Sequence, residues 1–256
     1  MPKQGIYKSW AAWKVNSDGK GWSSSPQGDR NPGGSLSVLG SNLLADNEGS
    51  GVATRNLSIT GISTSGALIL SWVGVKTSLF AGPPTANNGN TCTQEQSQDY
   101  GPTFTQYTLR AYSTVAAAGG SDHQVTVTKS SGAAEELTVA MIALSGGTIG
   151  TRKSVVNRTA AGAGHTHTSG TVTMTTAGIL VAVGSGTGNV NATAPTQTWP
   201  GDWSVLRSVA RSEAQAPQGH VPLYLAVKTV GSAGDYSVDV QTAINEGIVL
   251  SLFGVQ

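Results

Sequence analysis

Apolar and polar residues alternate along much of this chain with the two-residue spacing of half-buried β-strands. No segment carries the 3.6-residue spacing of a helix three turns long. Leu57-Ser58-Ile59-Thr60 alternates, as do Gln124-Val125-Thr126-Val127-Thr128 and the stretch Phe104 to Tyr112. Ala67 to Val75 is nearly all apolar and rich in β-formers, the pattern of a strand covered on both faces. Gly, Asn and Pro clusters punctuate these runs at the short intervals of a sandwich or jelly roll.

The second half of the chain repeats the first. Thr64-Ser65-Gly66-Ala67-Leu68-Ile69-Leu70 returns as Thr176-Ala177-Gly178-Ile179-Leu180-Val181-Ala182. Pro84-Thr85 returns as Pro195-Thr196, and Gly89 to Thr91 as Gly201 to Trp203. Each half then closes on an alternating strand, Gln124–Thr128 or Tyr236–Val240. A final apolar strand follows, Leu137–Leu144 or Ile248–Phe253. An offset of about 110 to 115 residues throughout is what tandem duplication with small insertions leaves behind. Further strands are expected in the second half at Val172–Met174, Ile179–Val183, Trp203–Val209 and Leu223–Val230.

The expected architecture is all-β. An extended N-terminal arm occupies residues 1–50, and a first sandwich module residues 51–147. A linker at 148–167 leads to a second module at 168–256. Ala160-Ala161-Gly162-Ala163-Gly164 reads as a hinge within that linker, and Ser212 to Gly219 as a polar loop or a single helical turn. The arm carries Trp10, Trp13 and Trp22 in a Gly/Ser/Asn/Pro-rich setting that cannot build a core of its own. Such large aromatics must bury against something else. That is either the first module of the same chain or a neighbouring subunit, so the three are candidate partner-binding residues.

Composition narrows the function classes. Only 11% of residues are charged, against about 25% in an ordinary domain, and the net charge is +1. A neutral Thr/Ser-decorated surface resists self-association weakly, which suits a subunit of a large assembly. Nucleic acid would call for a basic stripe, and the longest cluster is Arg152-Lys153. Cys92 is the single cysteine, so an intrachain disulfide is excluded, and a small half-buried strand residue is its expected role. The start Met1-Pro2-Lys3-Gln4-Gly5 has no apolar signal segment, and no apolar run is long enough to span a bilayer. Synthesis in a host cytoplasm without a signal peptide, and no membrane partner, are the resulting expectations.

Taken in order, the Thr-x-x-Gly-Ala/Ile-Leu-Ile/Val block, the Pro-Thr turn and the Gly-Asn-Thr or Gly-x-Trp step lead into a tyrosine-bearing strand. Ala118-Gly119-Gly120 and Val125-Thr126-Val127-Thr128 then precede an apolar closing strand. This pattern resembles the jelly-roll sandwich modules of bacteriophage virion proteins and of some large bacterial surface proteins. It covers residues 51–256 and leaves the arm aside. The resemblance implies structural or adhesive units without catalytic residues or cofactors. The missing signal segment favours a phage particle.

Several constellations could carry chemistry. His165 and His167 in Gly164-His165-Thr166-His167-Thr168 would share one face of a strand and could give a metal two imidazole ligands. The motif resembles the His-x-His elements of trimeric phage tail fibres, where three chains complete an iron site. Here it occurs once, at a module edge, where a solvated pair is the plainer reading. Trp199-Pro200-Gly201-Asp202-Trp203 places Trp199 and Trp203 around a turn, as candidates for sugar stacking, partner contact or capping of a core. Asn87-Asn88-Gly89-Asn90 reads as a tight turn of left-handed-tolerant residues. Asp122-His123 lies by a Gly-rich hairpin with no Gly-x-Ser-x-Gly elbow elsewhere to complete a triad. The carboxylates Glu95, Asp99, Glu135, Glu136, Asp202, Glu213 and Glu246 could serve glycoside hydrolysis only if two faced each other across a cleft.

The sequence thus points to a non-enzymatic virion protein on the particle exterior, a head decoration or a tail or fibre component. Its partners would be other virion subunits, including copies of itself. A carbohydrate- or receptor-binding adhesin recognising a host-surface glycan is the alternative, and a polysaccharide-degrading enzyme the third reading.

Overall fold

The computed structural model describes residues 36–45, 53–62, 65–100, 107–120, 122–130, 137–157, 165–186, 197–209, 223–242 and 248–256. The first half supplies β1 (Val38–Ala45), β2 (Thr54–Thr60), β3 (Ala67–Lys76), β4 (Thr85–Ala86), β5 (Thr93–Tyr100), β6 (Tyr107–Ala117), β7 (Asp122–Thr128) and β8 (Leu137–Leu144). The second supplies β9 (Ile149–Asn157), β10 (His165–Thr168), β11 (Val172–Met174), β12 (Gly178–Gly186), β13 (Gln197–Thr198) and β14 (Ser204–Val209). It continues with β15 (Leu223–Val230), β16 (Gly234–Tyr236), β17 (Asp239–Thr242) and β18 (Ile248–Val255). A single 3-10 turn, Thr77–Leu79, is the one helical element among the described residues. The chain is an all-β sandwich protein.

The repeat in sequence is a repeat in topology. The large sheets run β1-β8-β3-β6-β5 and β9-β18-β12-β15-β14, and the small ones β2-β7-β4 and β10-β17-β13. The second half adds a two-stranded ribbon, β11-β16. Equivalent strands β1 and β9, β3 and β12, β5 and β14, and β8 and β18 begin 111 residues apart. Even the irregularities recur. β5 bulges between Gln94 and Gln96 and β14 between Val205 and Arg207, again at positions 111 apart.

Four layers follow from the way apolar residues divide between strand faces. On β3, Leu68, Leu70 and Trp72 point to one side, and Ile69, Val73 and Val75 to the other. The first set meets Ile179, Val181 and Val183 of β12 and Val249, Phe253 and Val255 of β18 in a core shared by the two halves. The second set meets Leu57 and Ile59 of β2 and Val125 and Val127 of β7. β12 behaves likewise: Leu180 and Ala182 turn to a third core with Val240 and Trp203. A strand buried on both faces must be apolar at successive positions, which is why Ala67 to Val75 lacks alternation.

Across the shared core β1 lies against β14, β5 against β9, β8 against β15 and β18 against β5. First strand thus faces fifth strand at both sides of the stack, and β3 and β12 occupy the middle. That reciprocity is the contact pattern of an isologous dimer, realised within one chain. Polar contacts fasten it. Trp72 Nε1 donates to Ser251 Oγ at 2.9 Å, and its ring meets Phe253 edge-on with centroids 5.5 Å apart. Ser251 Oγ in turn donates to Gln96 Oε1, and the Tyr100 and Ser185 hydroxyls pair at 2.8 Å. Arg152 Nε meets Glu95 Oε2 at 3.0 Å, and Arg207 donates to the Ser41 carbonyl at 2.9 Å. Ser41 and Arg152 are themselves equivalent positions of the repeat.

Four features depart from the sequence reading. β1 falls inside the expected arm at 1–50. β9 and all but the last residue of β10 fall inside the expected linker at 148–167, so each half opens with an edge strand that its weak alternation concealed. The proposed strand Tyr236–Val240 is divided between β16 and β17. The break is held by Ser169, whose N–H donates to the Val238 carbonyl and whose Oγ accepts from the Val238 N–H, both at 3.0 Å. Finally, matching Gly66 to Gly178 slips the repeat by one residue. Leu68 faces the shared core, as does Ile179, whereas Leu180 faces away from it. A one-residue slip exchanges faces in a strand. The two glycines serve different ends. Gly66 turns the chain at φ +91°, while a Cβ at Gly178 would collide with the Val255 carbonyl. The hinge at Ala160–Gly164 and the segment 212–219 lie outside the described residues.

Two stability outcomes are expected. Trp72→Ala should cost about 3–5 kcal/mol in urea unfolding. Because the halves share a core, tryptophan fluorescence and far-ultraviolet circular dichroism should still report one coincident transition. Two separated transitions would show that the halves unfold independently. Gly178→Ala should cost about 1–3 kcal/mol, since backbone must move to admit the methyl group; an unchanged urea midpoint would refute that close approach.

Candidate functional site

The internal repeat lets each candidate be compared with its own counterpart. Between β4 and β5 the chain turns at Asn87-Asn88-Gly89-Asn90, with Asn88 at φ +57° and Gly89 at φ +71°. Asn90 N donates to the Asn87 carbonyl at 3.0 Å, closing the tight turn its sequence foretells. Asn87 and Asn88 both donate through Nδ2 to the Asp122 carbonyl, at 2.9 and 3.0 Å. Asn90 Oδ1 accepts from Ala118 N at 2.7 Å. Asn87 and Asn88 tie this corner to β7 and Asn90 ties it to the end of β6, while buried Asn90 Nδ2 has no hydrogen-bond partner among the described residues.

The matching corner, between β13 and β14, is aromatic. Trp203 N donates to the Pro200 carbonyl at 3.0 Å, and the Trp199 and Trp203 rings stand 5.8 Å apart, tilted by 52°. Trp203 is 7% exposed and belongs to the core beneath β10-β17-β13. Trp199 is half-buried against the same core, and its Nε1 has no hydrogen-bond partner among the described residues. Outside the rings, Lys228 Nζ meets Asp202 Oδ2 at 2.5 Å, and this contact holds the Asp202 carboxyl below its ordinary pKa. The corner therefore combines a core cap with a half-open indole and an exposed ion pair. An arrangement of that kind can stack on a sugar ring or seat a protein neighbour.

His165 and His167 do share the inner face of β10, with ring centroids 6.5 Å apart. His167 is 1% exposed and its Nε2 lies 3.0 Å from Thr242 Oγ1. Burial, reinforced by neighbouring His165, pushes its pKa down. No group of three or more His, Cys, Asp or Glu side chains placed to hold a metal occurs among the described residues. The pair supplies two imidazoles, of which His167 is packed into the module interior.

Each described acid among the candidates has a cation near it. Glu95 meets Arg152 and accepts from Ser113 Oγ at 2.6 Å. Asp99 stands 4.0 Å from Arg110, and Asp202 pairs with Lys228. Glu135, Glu136, Glu213 and Glu246 lie outside the described residues, as do Trp10, Trp13 and Trp22. Cys92 is half-buried in the turn before β5 rather than in a strand, and burial raises its thiol pKa although the Thr114 hydroxyl, 3.8 Å away, opposes this. Sequence reasoning missed the seam residues Trp72, Gln96, Tyr100, Ser185 and Ser251. For Ser185 and Ser251 the signal is a single polar side chain on an otherwise apolar, doubly covered strand; Gln96 and Tyr100 stand on the polar edge strand β5, which carries no such signal. No protein-family model and no curated protein matches this chain.

His123 is the counterpart surprise. It projects inward from β7 at 1% exposure, and neither ring nitrogen has a partner among the described residues. Burial lowers its pKa and adjacent Asp122 raises it, with burial the larger effect. Both His123 and His167 are thus held neutral in the fold, whereas an unfolded chain protonates them near pH ~6.5. Their contribution is intact above about pH 6.5 and declines as pH falls through the window below it, where the unfolded state binds more protons. Thermal midpoints should therefore drop between about pH 6.5 and 5. His123→Leu sacrifices no hydrogen bond to the described residues, so it should shrink that drop without lowering the midpoint at neutral pH. An undiminished drop in the variant would exclude His123 as a source.

Proposed function

We propose that this protein is a non-enzymatic structural subunit on the exterior of a bacteriophage particle, a head decoration or a tail or fibre component, acting through subunit–subunit packing. The observation that carries this reading is the finish of its outer layers. The small sheets turn apolar residues inward and cover their outer faces with hydrogen-bonded short polar side chains. Thr126 donates to Asn56 at 2.8 Å, Gln124 to Ser58 at 3.0 Å, and the Thr54 and Thr128 hydroxyls lie 3.3 Å apart. In the second half Thr168 donates to Asp239 and Thr173 to Asp235, each at 2.7 Å. A four-layer β stack faced with such ladders offers little net charge and few loose side chains, properties that suit a durable coat. The strand order of the first half, with first beside eighth and third beside sixth, and the matching order of the equivalent strands in the second half also accord with jelly-roll winding.

The second reading, a glycan- or receptor-binding adhesin, draws on the corner that differs between the halves. Trp199, Trp203 and the Asp202–Lys228 pair stand where the first half has asparagines engaged in its own fold.

Light scattering of the full-length protein separates the readings. Removing residues 1–50 would also remove β1, so the aromatic segment is better tested by substitution. Wild-type protein should associate as concentration rises, and Trp10→Ala/Trp13→Ala/Trp22→Ala should weaken that association while circular dichroism stays unchanged. A protein that remains monomeric and binds one class of sugar saturably on a glycan array, with loss in Trp199→Ala, would replace the coat reading by the adhesin.

A further inference from the structure

The two sides of the stack are built on one backbone plan and carry opposite chemistry. One side pairs edge strands β9 and β5, the other β1 and β14. Counting by the 111-residue repeat, Gly150, Gln94 and Glu95 on the first side correspond to Leu39, Val205 and Leu206 on the second. Glu95 there is ion-paired with Arg152, and the Asp99 side chain is 41% exposed, so charge guards that edge. Native sheets commonly protect their edges in this manner. Among the described residues, β1 and β14 carry no such guard. Val38 and Leu39 are each 37% exposed and Val205 43%. Arg207 is the one charged residue of the two strands, and it is turned back onto the carbonyls of Leu206 and Ser41, each at 2.9 Å.

We infer that the β1/β14 side is a self-association face that docks a second copy of this chain, Val38, Leu39 and Val205 forming its apolar centre. Continuity points to a second copy. Leu43 and Leu206, which close this side of the shared core, are only partly buried, so a partner laid here extends the same apolar layer that already joins the two repeats. Charge permits it as well: from the described strands β1 and β14, two such faces bring only Arg207 against Arg207, and each guanidinium is already bonded within its own chain. Two outward backbone groups of β1 are satisfied internally, Ser41 O by Arg207 and Leu43 N by Asn42 Oδ1 at 2.8 Å. The contact is therefore chiefly side-chain packing around the first residues of β1, and a two-fold arrangement lets the same patch serve both copies. This rests on the assembly reading above and names the face through which its subunits meet.

Sedimentation equilibrium on full-length protein, from micromolar to millimolar concentration, tests the inference. Wild type should dimerise. Leu39→Lys/Val205→Lys should weaken the dimer by more than about tenfold through like charges set face to face, while Gln94→Lys, on the guarded side, should change it less than about twofold. Hydrogen exchange gives a readout that needs no variant: amides of Val38 to Gly40 should gain protection as wild-type concentration rises. A dimer indifferent to Leu39→Lys/Val205→Lys, with no concentration-dependent protection in β1, overturns the face and leaves the assembly reading standing. Wild type that stays monomeric overturns the face as well, and the glycan array then decides whether the assembly reading falls with it. Protection of β1 that is the same at every concentration would put another segment of the same chain, not a second copy, on this edge.

Discussion

Everything in this molecule depends on burial of one sheet face against its own duplicate. Neither large sheet could stand alone with Leu68, Leu70 and Trp72, or with Val181, Val249 and Phe253, open to water. Placed together they form a dry layer that neither half contains by itself. The polar side chains within it, Trp72 with Ser251 and Gln96, and Tyr100 with Ser185, each find a partner across the seam. Apolar area supplies the drive to pack. The buried hydrogen bonds fix the register, because a shifted packing would leave an indole N–H or a phenol without an acceptor.

Given that layer, the remaining architecture follows. The outward faces of β3, β8, β12 and β18 are apolar too, and each needs a cover, which the small sheets provide. Those sheets are thin: their inner faces carry Leu57, Ile59, Val125 and Val240, and their outer faces carry Thr, Asn, Ser, Gln and Asp. The two buried histidines are exceptions to that plan. His167 is reconciled by Thr242, whereas His123 is not reconciled by any described neighbour.

What could be read in the sequence was local. Alternation marked β2 and β7, a doubly apolar run marked β3, and i, i+2 geometry put His165 and His167 on one face. Asn88-Gly89 announced its turn. What could not be read was set by distant partners. β1 and β9 are edge strands whose sequences lack clean alternation, so Val38–Ala45 passed for arm and Ile149–Asn157 for linker. Glu95 looked like a free acid because Arg152 is far along the chain. The repeat was visible, but its register was not: two glycines invited a match that only the side-chain faces of Leu68 and Ile179 could correct. Nothing local said that two modules would share a core. The sole hint was that β3 had no polar face to offer solvent.

A core divided between two halves of one polypeptide also has a history in time. When the first half leaves the ribosome, its β3–β8 face has no cover until β12 and β18 have been made. At roughly 5–20 residues per second, the hundred or so residues still to come take on the order of 5–20 s. Throughout that interval an apolar sheet awaits a partner that is still being translated, and the nearest equivalent surface belongs to the nascent chain on the next ribosome. Duplication places the right partner on the same chain at high effective concentration, but the order of synthesis makes it late. Trading halves between chains is therefore the characteristic error this architecture must avoid during its own production.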